Sequence, residues 1–587
     1  MKRFSFFVAT IIGALSFVSC STDTKPVELT VLYTTDLHGS VLPYDFTQNK
    51  PATTSLANVA AFVKEQREEN KDGVILLDAG DFLQGQPSIY YANFVDTTSE
   101  HLQARVMEFV GYDAAAVGNH DIEPGAVVYD KVQEEFDFPW LAANAIDVRT
   151  NEPYFEAYTV IERKGVKIAI LGMITPNIAA WLPKYLWENI TFADMVETAE
   201  KWVPIIQEKE KPDLLIGLFH SGSNPNSGGQ NMDTYMNENG GIPVATKVDG
   251  FDIVLLGHDH QLVSEIIENN FGNKVVVLDA LTQAKKVGVA KVKMTKTKDG
   301  WNKEITPEMV DMATYTPDPE FVETFQADVD EVNAYVDEPI GVLTETLTSD
   351  DALFGPSEFM DLIHNAQLEA TGADISIAGV LSSNAVIEKG DLTMRHLFSL
   401  YKYENLLYTM SLTGQEIIDF LEFGFDRQYN TMKDENDNLL KFKKDENGNP
   451  IPDERFGFEF TTPTFNFISA AGIKHNVDVR KGDLEKVEII SMSDGSKFDP
   501  NKRYNVAINS YQASGGGDFI EKGLGFTKEE AAERVTSVSE KDVRQYIADY
   551  IIKNKVITPE SRNDWKVVPE AYFEKGMAKD KAMVKSK

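Results

Sequence analysis

The fold is decided first by the stretch Leu29-Thr30-Val31-Leu32-Tyr33-Thr34-Thr35-Asp36-Leu37-His38-Gly39. Its first half is an apolar run with the length and composition of a buried strand. Asp36 and His38 follow two residues apart, and the alternation of side chains at a strand end predicts that both project to one side. A carboxylate and an imidazole in that arrangement are typical metal ligands.

Five further apolar runs lie between about residues 28 and 293, separated by helical patterns: Val74–Leu77, Ala114–Val117, Lys167–Leu171, Leu214–Leu218 and Ile253–Leu256. This alternation predicts an α/β domain with a mostly buried sheet. All the runs except Lys167–Leu171 lead directly into clusters of Asp, Asn, His and Gly. Because open α/β sheets bind ligands beyond the carboxyl ends of their strands, these clusters predict a site.

The clusters offer a mixed set of oxygen and nitrogen ligands. They are Asp78-Ala79-Gly80-Asp81, Gly118-Asn119-His120-Asp121, Leu218-Phe219-His220-Ser221-Gly222 and Gly257-His258-Asp259-His260. Together with His38 they hold five of the nine histidines, an allocation that structural histidines alone do not predict. Carboxylate, amide and imidazole ligands without thiolate suit Zn, Mn, Fe, Co or Mg. Asp81 is the natural candidate to bridge two cations, because one carboxylate can bind both.

The order of these motifs resembles that of the calcineurin-like metallophosphoesterases, in particular the bacterial 5′-nucleotidase and 2′,3′-cyclic-nucleotide 2′-phosphodiesterase family. The resemblance spans nearly the whole chain after its first twenty residues. It implies an α/β protein with an N-terminal four-layer α-β-β-α metallophosphoesterase sandwich and a C-terminal α/β nucleotidase substrate-binding domain. The motifs that carry it are Asp36-x-His38, Gly80-Asp81, Gly118-Asn119-His120-Asp121, Gly217-x-x-His220 and Gly257-His258-x-His260.

The resemblance also implies roles for these residues around two divalent metal ions. One ion would be held by Asp36, His38, Asp81 and His260, and the other by Asp81, Asn119, His220 and His258. A metal-activated water would then attack phosphorus. His120 would stabilise the transition state or protonate the leaving oxygen. Glu123 stands where many nucleotidases have an aspartate that orients this histidine, so the charge is kept on a longer arm.

The chain divides by composition and pattern into a sequence of predicted units. A helix capped by Ser357 opens the second domain, and the break Thr316-Pro317-Asp318-Pro319 precedes it. We expect a lipoprotein signal peptide at 1–20, the catalytic domain at 21–300, a connector at 301–338, the substrate-binding domain at 339–560 and a tail at 561–587.

The second domain carries the candidate substrate residues. Tyr403 and Tyr511 are core aromatics as readily as ligand contacts when judged from the sequence alone, and the triple glycine from Gly515 allows positive φ and a close approach to a ligand. The resemblance implies that the two tyrosines clamp a base and that Asn405 contacts it, with Gly515 and Gly516 in the adjoining loop. Stacking of this kind tolerates different bases.

Two departures from the 5′-nucleotidase pattern favour the cyclic phosphodiesterase/3′-nucleotidase branch. The stretch Ala378–Asn384 lacks the phosphate-binding arginine of 5′-nucleotidases, and the helix before it lacks arginine as well. In addition, 5′-nucleotidases have two glycines and then an aspartate after the aromatic residue, whereas this chain has the additional Gly517 before Asp518. The alternatives are a 5′-nucleotidase or UDP-sugar hydrolase, a phosphoesterase for other substrates, and a binding lipoprotein with a vestigial metal site.

The N-terminus and the charge constrain location and partners. Lys2 and Arg3 precede an apolar run, and Phe17-Val18-Ser19-Cys20 resembles a lipoprotein cleavage box. We expect an exported protein of the periplasm or outer surface, tethered only by lipid on Cys20; the alternative is a plain secretory signal. The net charge of −36 argues against binding to nucleic-acid polymers. The expected partner is a small nucleotide.

Overall fold

The computed structural model describes residues 25–298, 300–453 and 456–584 and contains an N-terminal and a C-terminal α/β domain. The predicted signal peptide and Cys20 lie outside these residues. Within the described ranges, no helix is both long enough and apolar enough to cross a membrane.

The first sheet of the N-terminal domain has six strands. Its central strand, Val27–Thr34, runs parallel to Val74–Asp78 and antiparallel to Lys286–Thr297. Leu29 and Val31 of that strand face the second sheet, whereas Leu32 faces the helices, as strand alternation requires. In spatial order the strands are Gly300–Asp311, Lys286–Thr297, Val27–Thr34, Val74–Asp78, Ala114–Ala116 and Trp140–Leu141.

The second sheet packs against the first through an apolar layer contributed by both. Its inner strands are parallel and its two edge strands antiparallel. All six strands predicted from the apolar runs are present in the two sheets. In spatial order this sheet contains Leu262–Glu268, Lys274–Ala280, Ile253–Leu256, Leu214–His220, Val166–Ile174 and Tyr158–Arg163.

Helices cover the outer face of each sheet, which confirms the predicted α-β-β-α sandwich. The helices against the second sheet are Met195–Lys209 and Gly241–Lys247. Those on the side of the first sheet are Leu56–Glu69, Pro87–Phe94, Leu102–Val110, Asn119–Ile122, Ala126–Glu135 and Ile178–Trp181. The domain also has short strands at Tyr44–Asp45, Lys50–Pro51, Ala145–Asp147 and Ile190–Phe192.

The residues predicted as a connector belong to the N-terminal domain. Gly300–Asp311 pairs antiparallel with Lys286–Thr297 along its whole length. The helix Pro319–Val336 then buries Phe321 and Phe325 in the core shared with the first sheet. The proline-spaced break begins this helix, because Asp318 caps it and Pro319 occupies its first turn. The structural domain therefore continues past residue 300.

The C-terminal domain is built around a five-stranded sheet with the spatial order Ile468–Ala471, Ile375–Gly379, Arg503–Asn509, Leu406–Thr413 and Val535–Asp542. The predicted helix Glu358–Thr371 is present, and the Ser357 side chain accepts a hydrogen bond from the Met360 N–H. The domain also contains the helices Met394–Leu400, Gly414–Gln428, Ser510–Ala513, Lys528–Arg534 and Val543–Asn554.

The residues predicted as a tail add a strand and a helix to this domain. Trp565–Val568 pairs in parallel with Ile473–Asp478, which also pairs with Val487–Met492. The helix Glu570–Met583 follows, and its Asp580 accepts a hydrogen bond of 2.7 Å from the Leu440 N–H. A second small sheet contains Gly390–Thr393, Pro339–Leu343 and Val556–Ile557. The strand Trp565–Val568 and its partner Ile473–Asp478 lie far apart in the chain, so the local sequence does not indicate that they pair.

Candidate active site

The first group of candidate metal ligands contains Asp36, His38 and His260. Their ligand atoms lie within 4.8 Å of one another. The Nε2 atoms of the two imidazoles are 3.0 Å apart, and the Asp36 Oδ1 lies 3.3 Å from the His260 Nε2. Asp36 is fully buried, and a buried carboxylate is costly without a positive partner. This geometry is typical of a site that a cation fills.

The second group contains Asp81, His220 and His258, joined by Asn119. The His220 Nε2 lies 3.1 Å from the Asp81 Oδ2 and 3.0 Å from the Asn119 Oδ1. The His258 Nδ1 lies 2.8 Å from the same amide oxygen. Burial opposes ionisation of Asp81, but the surrounding histidines hold its pKa well below its usual range. The structure thus brings together all seven residues that the sequence predicted as ligands.

The backbone that carries these ligands is left-handed at five of the seven positions: Asp36, His38, Asp81, His258 and His260 have φ between 43° and 79°. The regular strands end at Thr34 and Leu256, before the ligands. The His38 Nε2 and the Asp36 Oδ1 lie 3.9 Å apart, on one side as expected, but turns after the strand and not strand alternation aim the two side chains. Such a backbone in residues other than glycine costs energy and concentrates at functional sites.

Hydrogen bonds to residues behind the metal groups fix His38, His220 and His258. Each of these histidines has such a partner at one of its ring nitrogens. The His38 Nδ1 lies 3.2 Å from the Gln84 Oε1, and the His220 Nδ1 lies 2.8 Å from a backbone carbonyl oxygen. The His258 Nε2 lies 3.0 Å from the Glu238 Oε1. A ring nitrogen held from outside leaves the other free to face a metal, so the donor set fits two divalent cations.

Glu238 was not predicted from the sequence, because it lies in the long connection after Leu214–His220 and outside every motif. The hydroxyl groups of Thr175 and Ser221 donate to its carbonyl oxygen at 3.0 and 3.2 Å. The Trp181 ring stacks on His258 with centroids 5.4 Å apart and an interplanar angle of 22°. His258 is therefore held by a carboxylate at its outer edge and by an indole on its face.

Asp121 organises the loops that carry the ligands. Its carboxylate accepts hydrogen bonds of 2.7 to 3.0 Å from the N–H groups of Gly118, Asp81, Phe82 and Leu83. The sequence placed Asp121 inside a motif but gave it no role. Gly118 is required here by space, since a Cβ at that position would lie 2.2 Å from the Asp81 Oδ1.

His120 lies beside the two groups and is positioned for proton transfer. Its Nδ1 is 2.6 Å from the Glu123 Oε2, the contact that the resemblance to nucleotidases implied. Burial lowers the pKa of His120, but the carboxylates of Asp81 and Glu123 outweigh burial and raise it to about 10. Cations bound next to Asp81 would bring that pKa down. The other ring nitrogen remains available to a substrate.

One cleft of about 460 Å³ joins the two domains at this point. Asn119, His120 and His258 line its N-terminal wall. Its C-terminal wall contains every predicted substrate residue, namely Tyr403, Asn405, Tyr511, Gly515 and Gly516. We call residues 401–405 the base loop and residues 515–518 the glycine loop. Phe465 and Lys528 also line the cleft and were not predicted.

The glycine loop packs against Tyr511. A Cβ on Gly516 would lie 2.4 Å from the Tyr511 Cε2, so the ring rests directly on the backbone of this residue. Gly515 and Gly517 have φ of 111° and 69°, which makes the loop left-handed on both sides. Arg427 donates a hydrogen bond to the Gly517 carbonyl oxygen. The extra glycine is thus part of a fixed turn beside the aromatic ring.

Comparison with known families agrees with this architecture. Residues 29–262 match the calcineurin-like phosphoesterase family, and residues 339–522 match the 5′-nucleotidase C-terminal domain. The chain belongs to the bacterial 5′-nucleotidase/2′,3′-cyclic phosphodiesterase family. It is a metallophosphoesterase hydrolase of the nucleotidase type, and its two His/Asp groups are consistent with the dinuclear metal site of that family.

Relatives of this hydrolase cover most of its length at low identity. A 2′,3′-cyclic-nucleotide 2′-phosphodiesterase/3′-nucleotidase of Salmonella typhimurium is 25% identical over 87% of this chain and 84% of its own. The trifunctional nucleotide phosphoesterase protein YfkN of Bacillus subtilis is 26% identical over 92% of this chain, which spans only 39% of that longer protein. The crystal structure of a putative 5′-nucleotidase from Staphylococcus aureus shares the fold, with a TM-score of 0.74 and 20% identity over 92% of this chain and 99% of that one.

Proposed function

We propose that the protein hydrolyses nucleotide phosphoesters with two divalent cations and prefers 2′,3′-cyclic nucleotides and 3′-nucleotides. The observation that carries the proposal is the shared cleft, in which Asn119, His120 and His258 face Tyr403 and Tyr511 across the domain boundary. A phosphoester at the metal groups can therefore have its base at the aromatic wall. The names of the Salmonella and Bacillus relatives support nucleotide substrates.

The metal groups prepare the reacting phosphate. Bound cations would supply Lewis-acid polarisation of the phosphoryl oxygens and a nucleophilic water of lowered pKa. Asp81 is placed to serve both groups, because its carboxylate acts electrostatically on His38 of the first and contacts His220 of the second. The Asp81 Oδ1 also accepts a 2.8 Å hydrogen bond from the His120 N–H, which fixes its orientation.

The His120 side chain supplies the proton for the leaving oxygen. Glu123 holds the Nδ1 edge, so the Nε2 edge is the one that can donate to substrate. The ring centroids of His120 and His38 are 5.3 Å apart, which places this donor next to the first metal group. The carboxylate of Glu123 stabilises the protonated ring and sets its direction.

The charge of the cleft supports a cyclic diester as the first substrate. Among the described residues that line it, Lys528 is the only lysine or arginine. Leu381 lines the cleft from the stretch 378–384, which contains no lysine or arginine. A cyclic diester has one negative charge and a terminal monoester has nearly two, so a cleft with few fixed cations suits the diester better.

The test is one metal-supplemented assay that compares 2′,3′-cyclic AMP, 3′-AMP, 5′-AMP and UDP-glucose. We expect the cyclic nucleotide to be hydrolysed with the highest kcat/KM and 3′-AMP to follow. Hydrolysis of 5′-AMP alone would overturn the branch preference. Hydrolysis of bis(p-nitrophenyl) phosphate without competition by any nucleotide or nucleoside would overturn nucleotide recognition itself.

We also propose that the hydrolase is exported and tethered by lipid on Cys20, so that it acts on nucleotides outside the cytoplasm. The support is the sequence of residues 1–20 alone. Replacement of Cys20 by Ser is expected to move the protein from the membrane fraction to the soluble fraction of the cell envelope. Retention of Cys20→Ser in the membrane fraction would contradict a lipid tether.

A further inference from the structure

Arg544 is fully buried where the two domains meet, with 0% of its surface exposed. Its guanidinium carbon lies 4.1 Å from the centroid of the Phe398 ring and 5.1 Å from that of Tyr90. Tyr90 belongs to the N-terminal domain and Phe398 to the C-terminal domain. A planar guanidinium next to two aromatic rings is held in place by stacking and by the attraction of each ring for the cation.

The start of the helix Val543–Asn554 also holds the backbone of the base loop. Arg544 donates through Nε to the Tyr401 carbonyl oxygen and through Nη2 to that of Lys402, each at 3.0 Å. The Val543 N–H donates to the Asn405 carbonyl oxygen at 2.8 Å. The base loop has no regular secondary structure of its own. These two consecutive residues therefore hold the backbone of the base loop at the carbonyl oxygens of Tyr401, Lys402 and Asn405.

The Glu404 side chain links the same arginine to the centre of the base loop. Its Oε1 lies 3.7 Å from the Arg544 Nη1, and among the described residues neither of its carboxylate oxygens has a hydrogen-bond partner. Burial raises the pKa of Glu404 to about 8, against the opposing effect of Arg544. Arg544 is thus the cation next to this buried acid. Glu404 lies in the chain between Tyr403 and Asn405, which line the cleft.

We propose that Arg544 is a positioning residue for base recognition, which sets the base loop relative to the N-terminal domain so that Tyr403 and Asn405 meet the base of a substrate held at the metal groups. This inference rests on the proposed function. Arg544 is not among the residues that line the cleft, so it acts through the base loop and not by contact with substrate.

The test compares a nucleotide with an ester that has no base. For Arg544→Gln, we expect the KM for 2′,3′-cyclic AMP to rise about 10-fold, in the range of one lost stacking contact. The KM and kcat for bis(p-nitrophenyl) phosphate should stay within about twofold, because the metal groups do not depend on the base loop. Arg544→Lys should resemble Arg544→Gln, since an ammonium group cannot reproduce the guanidinium fork.

The matched control is Arg480→Gln. Arg480 lies in the same domain, is exposed and pairs with the neighbouring Asp478, so every kinetic constant should be unchanged. In a Tyr403→Ala background, Arg544→Gln should raise the KM for the nucleotide by a smaller factor than it does alone, because only the Asn405 contact remains to be lost. An equal loss of activity on both esters, or an additive loss in the double variant, would overturn the positioning role.

Failure of the inference and failure of the proposed function give different results. If Tyr403→Ala leaves the nucleotide KM unchanged, the proposed base contact is wrong. If Tyr403→Ala raises that KM and Arg544→Gln does not, only the role of Arg544 is wrong. Phe398→Leu removes one ring beside the guanidinium and keeps the position apolar. It should raise the nucleotide KM by a smaller factor, and an unchanged KM for this folded variant would overturn the inference.

Discussion

The two walls of the cleft are made of different kinds of residue. The N-terminal wall presents amide, carboxylate and imidazole side chains, fixed by left-handed backbone and by hydrogen bonds such as those to Asp121 and Glu238. The C-terminal wall presents aromatic rings and glycine, and its tyrosine at 403 is 37% exposed. The first wall holds polar and charged groups in place through hydrogen bonds, whereas the second offers a surface that accepts flat groups.

This difference separates chemistry from recognition. Electrostatic stabilisation of a reacting phosphate needs preorganised charge, and displacement of one ligand affects the whole group. Stacking on a base tolerates small shifts and different partners. Substitutions in the N-terminal wall should therefore act on kcat and metal content, and those in the C-terminal wall on KM.

The largest effect is expected for Asp81→Asn, which keeps the shape of the side chain and removes its charge. Turnover should fall by at least about 10³-fold, the upper end of the cost of one lost electrostatic contact. Metal content should fall below two ions per chain when measured by elemental analysis. Asp478→Asn, in the other domain and paired with Arg480, should keep both metals and full turnover. Two retained ions with normal kcat in Asp81→Asn would contradict the shared role.

His120→Ala should separate proton transfer from metal binding within the N-terminal wall. We expect kcat to fall about 10²-fold or more, because a positioned acid is lost, while both metals remain bound. Glu123→Gln should lower kcat less, since the ring remains and loses only its 2.6 Å carboxylate partner. A metal-replete His120→Ala protein with near-normal turnover would remove this residue from the mechanism.

Glu238→Gln tests the outer support of His258. The substitution should weaken metal affinity by about 10- to 100-fold, the usual cost of a lost partner behind a ligating histidine. Competition with a chromogenic chelator measures the affinity directly. Glu521 also lines the cleft but is not a partner of His258, so Glu521→Gln is the control and should leave metal affinity unchanged.

The smallest effect is expected in the C-terminal wall, for Gly516→Ala. The new Cβ would lie 2.4 Å from the Tyr511 ring and push it aside. The KM for a nucleotide should rise about 10-fold, with metal content unchanged. Gly482→Ala introduces the same methyl group where no atom lies within 4 Å, and it should have no effect. An unchanged KM in Gly516→Ala would show that the Tyr511 ring does not contact the base.

The sequence predicted most of the N-terminal wall because its residue types are distinctive and ordered along the chain. Asp36, His38 and Asp81 each follow an apolar run, and such runs became strands of the expected sheets. Strand ends on one edge of a sandwich converge, so the order of the motifs is enough to predict that the ligands meet.

The remaining features depend on contacts between residues far apart in the chain. Glu238 is an ordinary glutamate in a long loop, and only packing places it behind His258. Arg544 has no motif, and its partners lie in both domains. The sequence predicts a connector at 301–338 and a tail at 561–587, where the structure has the strands Gly300–Asp311 and Trp565–Val568. The first is an exposed edge strand with little hydrophobic pattern, and the second is short and pairs with a strand far away in the chain.

The order of the ligands along the chain has a consequence for biosynthesis. Asp36 leaves the ribosome early, but its neighbour His258, whose N–H donates to it, is 222 residues further on. The strand before Asp36 also pairs with Lys286–Thr297. Neither metal group can assemble until about half of the chain has been made, so metal loading cannot be complete before His258 and His260 have been synthesised. An enzyme that collects its metals only at that stage takes them from whichever compartment it has reached.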